Sequence, residues 1–169
     1  MIDNDKYVFT RYKLGRIKIG DQALYVLTSF IQSLPEATEA GGVLLGRFIL
    51  NGNDIVVDDV TPPHNKDKRY RNRFIRNQQT HQEEIVKRWK ESNGTCNYLG
   101  EWHTHPEPVP RPSNLDLRDW KRILKQARVD SESLFFVIVG TEQLCVWEGC
   151  RETLLVKPLT FSKEDLSDV

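Results

Sequence analysis

The sequence predicts an α/β sandwich built on a mostly mixed sheet. Two observations carry this. Short apolar runs of period two are interspersed with stretches in which apolar residues recur at helical spacing. These segments do not follow the strict strand–helix–strand alternation of an all-parallel sheet. A length of 169 residues is enough for one core, so residues 1–169 read as a single domain with flexible ends at 1–5 and 162–169.

In order, Leu14–Ile19 alternates and reads as a strand. Asp21–Leu34 carries Leu24, Leu27, Ile31 and Leu34 at helical spacing and is closed by Pro35, which predicts an amphipathic helix. Gly42–Leu50 reads as a buried strand, and Asp54–Val60 as another that ends at Thr61-Pro62-Pro63. His64–Asn77 is irregular and basic. Gln78–Ser92 is helical until Asn93-Gly94 stops it. Tyr98–His105 is a strand halted by Pro106, and Asn114–Ala127 a helix with Ser113 at its N-cap. Leu134–Gly140 and Gln143–Trp147 form a hairpin around Gly140-Thr141-Glu142, and Leu154–Leu159 is a last strand.

Formal net charge is zero and mean hydropathy is negative, which fits a soluble cytoplasmic protein with no global demand for nucleic acid or membrane. The N-terminus lacks the apolar run of a secretory signal. No stretch approaches the ~18 apolar residues of a membrane span. Cys96, Cys145 and Cys150 are odd in number and lack zinc spacing, so they read as reduced thiols.

The chemistry concentrates in residues 100–116, GEWHTHPEPVPRPSNLD. In a strand, residues two apart share a face, so His103 and His105 present both imidazoles side by side while Thr104 points away. Pro106, Pro108, Pro110 and Pro112 stiffen the connection that follows. It leads to Ser113 at a helix start, with Asp116 in the first turn. A catalytic zinc takes three protein ligands and leaves one position for water, and His103, His105 and Asp116 supply three. Ser113 with Asp116 is equally an ordinary helix start, a capping serine with an acid in the first turn.

A base is also needed. Glu39 precedes a strand in Glu39-Ala-Gly-Gly-Val-Leu-Leu-Gly46, where Gly41-Gly42 lets another backbone or a substrate approach. Glu36 is a rival by chemistry alone. Glu101 shares the histidine face by parity, and reads either as an acid orienting a histidine or as a surface acid. Trp102 and Trp120 read as core.

His103-Thr-His105, seven residues, Ser113-Asn-Leu-Asp116 resembles the signature of the JAMM metalloproteases, the MPN+ or Prok-JAB family. That family's upstream glutamate stands in a Glu-X-Gly-Gly-X-Leu-X-Gly context, which Glu39 matches and Glu36 does not. Three stretches are most similar to the bacterial JAMM proteins of antiphage CBASS operons: Glu39–Gly46, Arg69–Arg76 and Tyr98–Glu107. The resemblance implies a JAMM-type α/β sandwich with a curved central sheet flanked by helices. It implies one zinc per chain on His103, His105 and Asp116 with water as fourth ligand. Glu39 is then the general base and acid, and Ser113 the donor to the oxyanion. The implied reaction cleaves the bond joining the C-terminus of a cGAS-like nucleotidyltransferase to a target amine. A ubiquitin-transfer-like enzyme of the same operon makes that bond.

An alternative JAMM peptidase would process sulfur-carrier or other ubiquitin-like proteins. A non-catalytic JAMM scaffold usually lacks ligands, and this sequence lacks none. A zinc nucleotide deaminase would need a Cys-X-X-Cys pair that does not occur. The basic stretch 64–76 reads as a solvated loop, as a groove for an acidic partner surface or, third, as a nucleic-acid contact. If it grips a protein substrate, charge reversal at Arg71 and Arg73 raises KM more than it lowers kcat.

Overall fold

The computed structural model describes residues 7–162. Within them the chain runs β1 (Val8–Thr10), β2 (Arg16–Ile19), α1 (Asp21–Ser29), β3 (Gly41–Phe48), β4 (Ile55–Val60), β5 (Lys68–Tyr70) and β6 (Arg73–Ile75). It continues through α2 (Gln78–Glu91), β7 (Asn97–Thr104), α3 (Asn114–Gln126), β8 (Ser133–Val139), β9 (Leu144–Cys150), β10 (Val156–Pro158) and β11 (Thr160–Phe161). The expectation of flexible ends falls outside the described residues except at Ser162, whose N–H donates to Val8 O at 2.7 Å.

Nine strands form one sheet in the order β10-β9-β8-β7-β3-β4-β2-β1-β11. The β2–β4 and β7–β8 pairs are parallel and the others antiparallel, so the sheet is mixed. β10 and β11 occupy opposite edges although only Leu159 separates them in the chain, so the sheet curls until its edges meet. Leu159 N–H donates to Val146 O of β9 at 2.8 Å at that seam. The result is a curved, nearly barrel-like mixed sheet with three helices, consistent with the fold the family resemblance implied.

From Leu134 to Val139 β8 is apolar, in keeping with its burial on both faces. Phe135, Val137 and Val139 face the interior, where Ala23, Leu24 and Leu27 of α1 also pack. Leu134, Phe136 and Ile138 face outward under Trp120 and Leu124 of α3. Trp120 stacks on Phe136 at 4.6 Å, and Trp102 is 1 % exposed, so both tryptophans are core.

Several elements differ from expectation. α1 stops at Ser29, five residues before Leu34. The Thr28 and Ser29 hydroxyls donate to the Leu24 and Val26 carbonyls, and the Phe30 N–H turns to Leu27 O, which tightens and ends the last turn. β1 and β11 are too short to show a period. The stretch expected to be irregular contains the β5–β6 hairpin, a separate two-stranded sheet. It is anchored at its base by Asp67, whose Oδ1 accepts from Asn77 N–H at 2.7 Å and whose Oδ2 lies 2.9 Å from Nε2 of buried His81.

Candidate metal centre

β7 carries His103 into the centre of the sheet, and the chain leaves β7 at His105, whose N–H donates to Val139 O at 3.0 Å. Within β7, Leu99 is the extra residue of a bulge against β3, and Gly100 follows it, paired with Leu44. Gly100 sits at φ +141°, and a Cβ there would lie 1.8 Å from Phe135 O. The proline-rich connection is clamped by the β8–β9 turn: Thr141 N–H donates to Glu107 O at 2.7 Å and Gln143 N–H to Pro108 O at 3.0 Å. Its stiffness therefore comes from tertiary hydrogen bonds as well as from fixed φ.

Ser113 caps α3. Its Oγ accepts from Asp116 N–H at 3.1 Å, and its own N–H and hydroxyl donate to Asp116 Oδ2 at 2.7 and 2.8 Å. The helix-start pattern and the ligand pattern are thus the same device, since the capping box fixes the Asp116 carboxylate. His103 Nε2 and His105 Nε2 lie 3.0 Å apart. Asp116 Oδ1 is 3.3 Å from His103 Nε2, and Asp116 Oδ2 is 3.3 Å from His105 Nε2. Two donors each ~2.0–2.1 Å from one tetrahedral ion stand roughly 3.3 Å apart. The three side chains converge, one donor atom from each lying within 4.8 Å of the others, and they are compatible with a metal site. The outer nitrogen of His105, Nδ1, is buried and makes no hydrogen bond among the described residues; Glu107 Oε2 is 3.9 Å away, beyond hydrogen-bond reach.

Glu39 is buried in the same cavity, of about 400 Å³, with Oε1 3.9 Å from His105 Nε2. Glu36 is exposed in a turn and does not line that cavity. Burial pushes the Glu39 carboxyl up to about 7; the Asp116 charge adds to this and His105 opposes it. For Asp116 burial also favours the neutral form, but hydrogen bonds from both imidazoles and from the Ser113 backbone outweigh it and hold the carboxyl well below the ordinary carboxylate range. Two nearby carboxyls are thereby driven apart, which is how a site separates a proton carrier from a permanent anion.

Gly41 and Gly42 are close approaches, as the sequence suggested, but the neighbour is the chain itself. A Cβ on Gly41 would meet the Phe74 ring at 2.6 Å, and one on Gly42 would meet Thr61 O at 2.1 Å. Glu101 does not touch the histidines: its carboxylate pairs with Arg76 and accepts from Tyr98 Oη at 3.4 Å. The arginines of the basic stretch divide. Arg69 Nε donates to Glu39 O at 2.8 Å, and Arg71 donates to Leu34 O and Pro35 O, whereas Arg73 lines the cavity. Sequence reasoning missed this support of the Glu39 loop, because nothing local pairs an arginine with a carbonyl some 30 residues away. The three cysteines are free and stand apart from the cluster. Among the described residues no helix is long and apolar enough to cross a membrane.

Residues 26–149 match the family described as prokaryotic homologs of the JAB domain. A Pseudomonas aeruginosa protein named CD-NTase/cGAS isopeptidase is 40% identical over 116 residues, 69% of this chain and 72% of that protein. Proteins of the same name from Escherichia coli and Vibrio cholerae are 33% and 38% identical, covering 80% and 77% of this chain and 81% and 78% of theirs. In fold, the chain is similar to the solution structure of protein DSY2949 from Desulfitobacterium hafniense, with a TM-score of 0.54 at 24% identity over 89% of this chain and 95% of that one. A match over most of the chain, with relatives this similar over most of their own length, means that this protein belongs to the prokaryotic JAB-domain family.

Proposed function

We propose that this protein is a zinc-dependent isopeptidase that acts in the cytoplasm as one domain. Its substrate is a cGAS-like nucleotidyltransferase whose C-terminus a ubiquitin-transfer-like enzyme of the same operon has joined to a target amine. Cleavage right after that C-terminus reverses the conjugation. The observation that carries the reading is the convergence of His103 Nε2, His105 Nε2 and Asp116 beside a buried glutamate whose carboxyl is held near neutrality. The names of the three relatives favour this substrate over sulfur-carrier proteins.

His103, His105 and Asp116 would hold the zinc, which when bound supplies Lewis acidity toward a carbonyl and lowers the pKa of a water toward ~7. Glu39 accepts a proton as the water oxygen bonds to the scissile carbonyl carbon. It returns that proton to the nitrogen as the C–N bond breaks, so the amine leaves neutral. Ser113 Oγ, now directed at Asp116 Oδ2, turns to donate to the carbonyl oxygen as negative charge develops there. The cavity continues past Arg76 and Glu101 into a second one of about 750 Å³ between α2 and α3, and the two share Gln78, Arg122 and Ile123. This trough suits an extended polypeptide tail.

The test is cleavage of a reporter protein fused behind the C-terminus of the nucleotidyltransferase from the same operon. A cut right after its last residue, lost with a chelator and in Glu39→Gln, is the expected result. An intact fusion with zinc bound in the enzyme would overturn the substrate, leave the metal centre, and favour sulfur-carrier or other ubiquitin-like substrates.

A further inference from the structure

We propose that Gln32 and Thr104 are positioning residues of this site: a buried hydrogen-bond relay between them keeps the Glu39 loop in register with the strand of the two histidines. The inference rests on the reading of Glu39 as the base.

Thr104 lies between the histidines and points to the opposite face of β7, where it is fully buried. Its hydroxyl accepts from Ala40 N–H at 3.0 Å and donates to Gln32 Oε1 at 2.8 Å. Thr104 N–H donates in turn to Ala40 O at 2.9 Å. Both backbone groups of the residue after Glu39 are therefore held by the residue between His103 and His105. Gln32 is 3 % exposed, and its amide nitrogen donates to Ala37 O at 3.2 Å and to Arg71 O at 3.0 Å. It joins the start of the Glu39 loop, the histidine strand and the tip of the β5–β6 hairpin. The hairpin closes the circuit, since Glu39 N–H donates to Tyr70 O at 2.8 Å.

Every donor of the relay is placed: the threonine hydroxyl gives its one proton and accepts one bond, both amide protons of Gln32 are used, and its carbonyl oxygen is engaged. Burying a glutamine and a hydroxyl is costly unless each is bonded, and a satisfied buried network holds one geometry. An apolar residue at 32 would satisfy packing. A glutamine there is explained by what it connects. None of these contacts touches the metal side of β7, so the relay acts on Glu39 through the backbone. A base misplaced by ~1 Å costs about a hundredfold in rate.

The experiment uses the reporter fusion described above. Thr104→Val and Gln32→Leu nearly preserve shape and remove the relay. Each should lower kcat by roughly 10- to 100-fold, with KM and zinc content within twofold of the parent. Thr104→Ser keeps the hydroxyl and should restore kcat to within about threefold. Placed in Glu39→Gln, Thr104→Val should leave the Kd for the fusion unchanged and cause no further loss of rate. On the parent protein, the Glu39 and Ala40 amides should exchange with solvent as slowly as those of β7, a readout that needs no variant to fold. The proposal is overturned by an unchanged kcat in folded Thr104→Val, by a rise in KM alone, by Thr104→Ser as impaired as Thr104→Val, or by fast exchange at Ala40. Full activity in Glu39→Gln would instead remove the reading of Glu39 as the base.

Discussion

Asp116 holds two posts, and its variants separate them. As the third residue of α3 it closes the capping box with Ser113, and its two oxygens also face the two imidazoles. Asp116→Ala should lose zinc and turnover together, and lose about 1 kcal/mol of stability with the cap. Glu39→Gln should keep its zinc while kcat falls by roughly 10²- to 10⁴-fold. Metal analysis of the two purified variants checks this, and equal metal loss in both would break the division between ligand and base. Ser113→Ala should cost a similar ~1 kcal/mol as a cap and, separately, lower kcat by about 10²- to 10³-fold at unchanged KM. A drop in Tm with kcat intact would leave Ser113 as a cap alone.

The β5–β6 hairpin belongs to the site although it belongs to neither the main sheet nor the metal. Arg69 and Arg71 spend their guanidinium groups on carbonyls of residues 34–39, so the hairpin is the outer wall of the Glu39 loop. Charge reversal at the two arginines expected to grip substrate should therefore give different kinetics. Arg71→Glu should lower kcat and Tm by loosening that loop, while Arg73→Glu, at the cavity lining, should raise KM with kcat nearly unchanged. Steady-state kinetics on the reporter fusion decides, and a pure KM effect at Arg71 would return it to the substrate. The histidines, Ser113 and Asp116 were legible because strand parity and helix-start chemistry are local. The hairpin was not, because Lys68–Tyr70 and Arg73–Ile75 are largely exposed and show no apolar period. The early end of α1 was hidden for a related reason: Ile31 and Leu34 keep the helical spacing, while hydroxyl–carbonyl bonds at Thr28 and Ser29 decide where the helix stops.

At the scale of the whole molecule, the mixed sheet was readable from the succession of strands and helices, but its closure was not, since β1 and β11 have only three and two residues. Closure depends on long-range contacts. Arg11, just after β1, donates to Glu148 Oε1 of β9 through Nε at 3.2 Å and Nη2 at 2.8 Å, and Tyr12 N–H donates to Oε2 at 2.9 Å. Side-chain exposure is 15 % for Arg11 and 5 % for Glu148, so solvent screens the pair little. Truncating one partner of such a pair strands the other charge, at a cost of about 3 kcal/mol, whereas replacing both with apolar residues is close to neutral. Glu148→Ala should therefore lower Tm by roughly 6–12 °C in a chain of this size. Arg11→Met with Glu148→Leu should recover part of that loss, the remainder being the Tyr12 N–H left without its carboxylate acceptor. Neither residue lines the cavity of His103, His105 and Asp116, so kcat/KM measured well below Tm should be unchanged in both variants. Thermal melts of the single and double variants test the clasp. A single variant as stable as the parent would mean that the seam is held instead by β10, β11 and the Leu159 backbone between them.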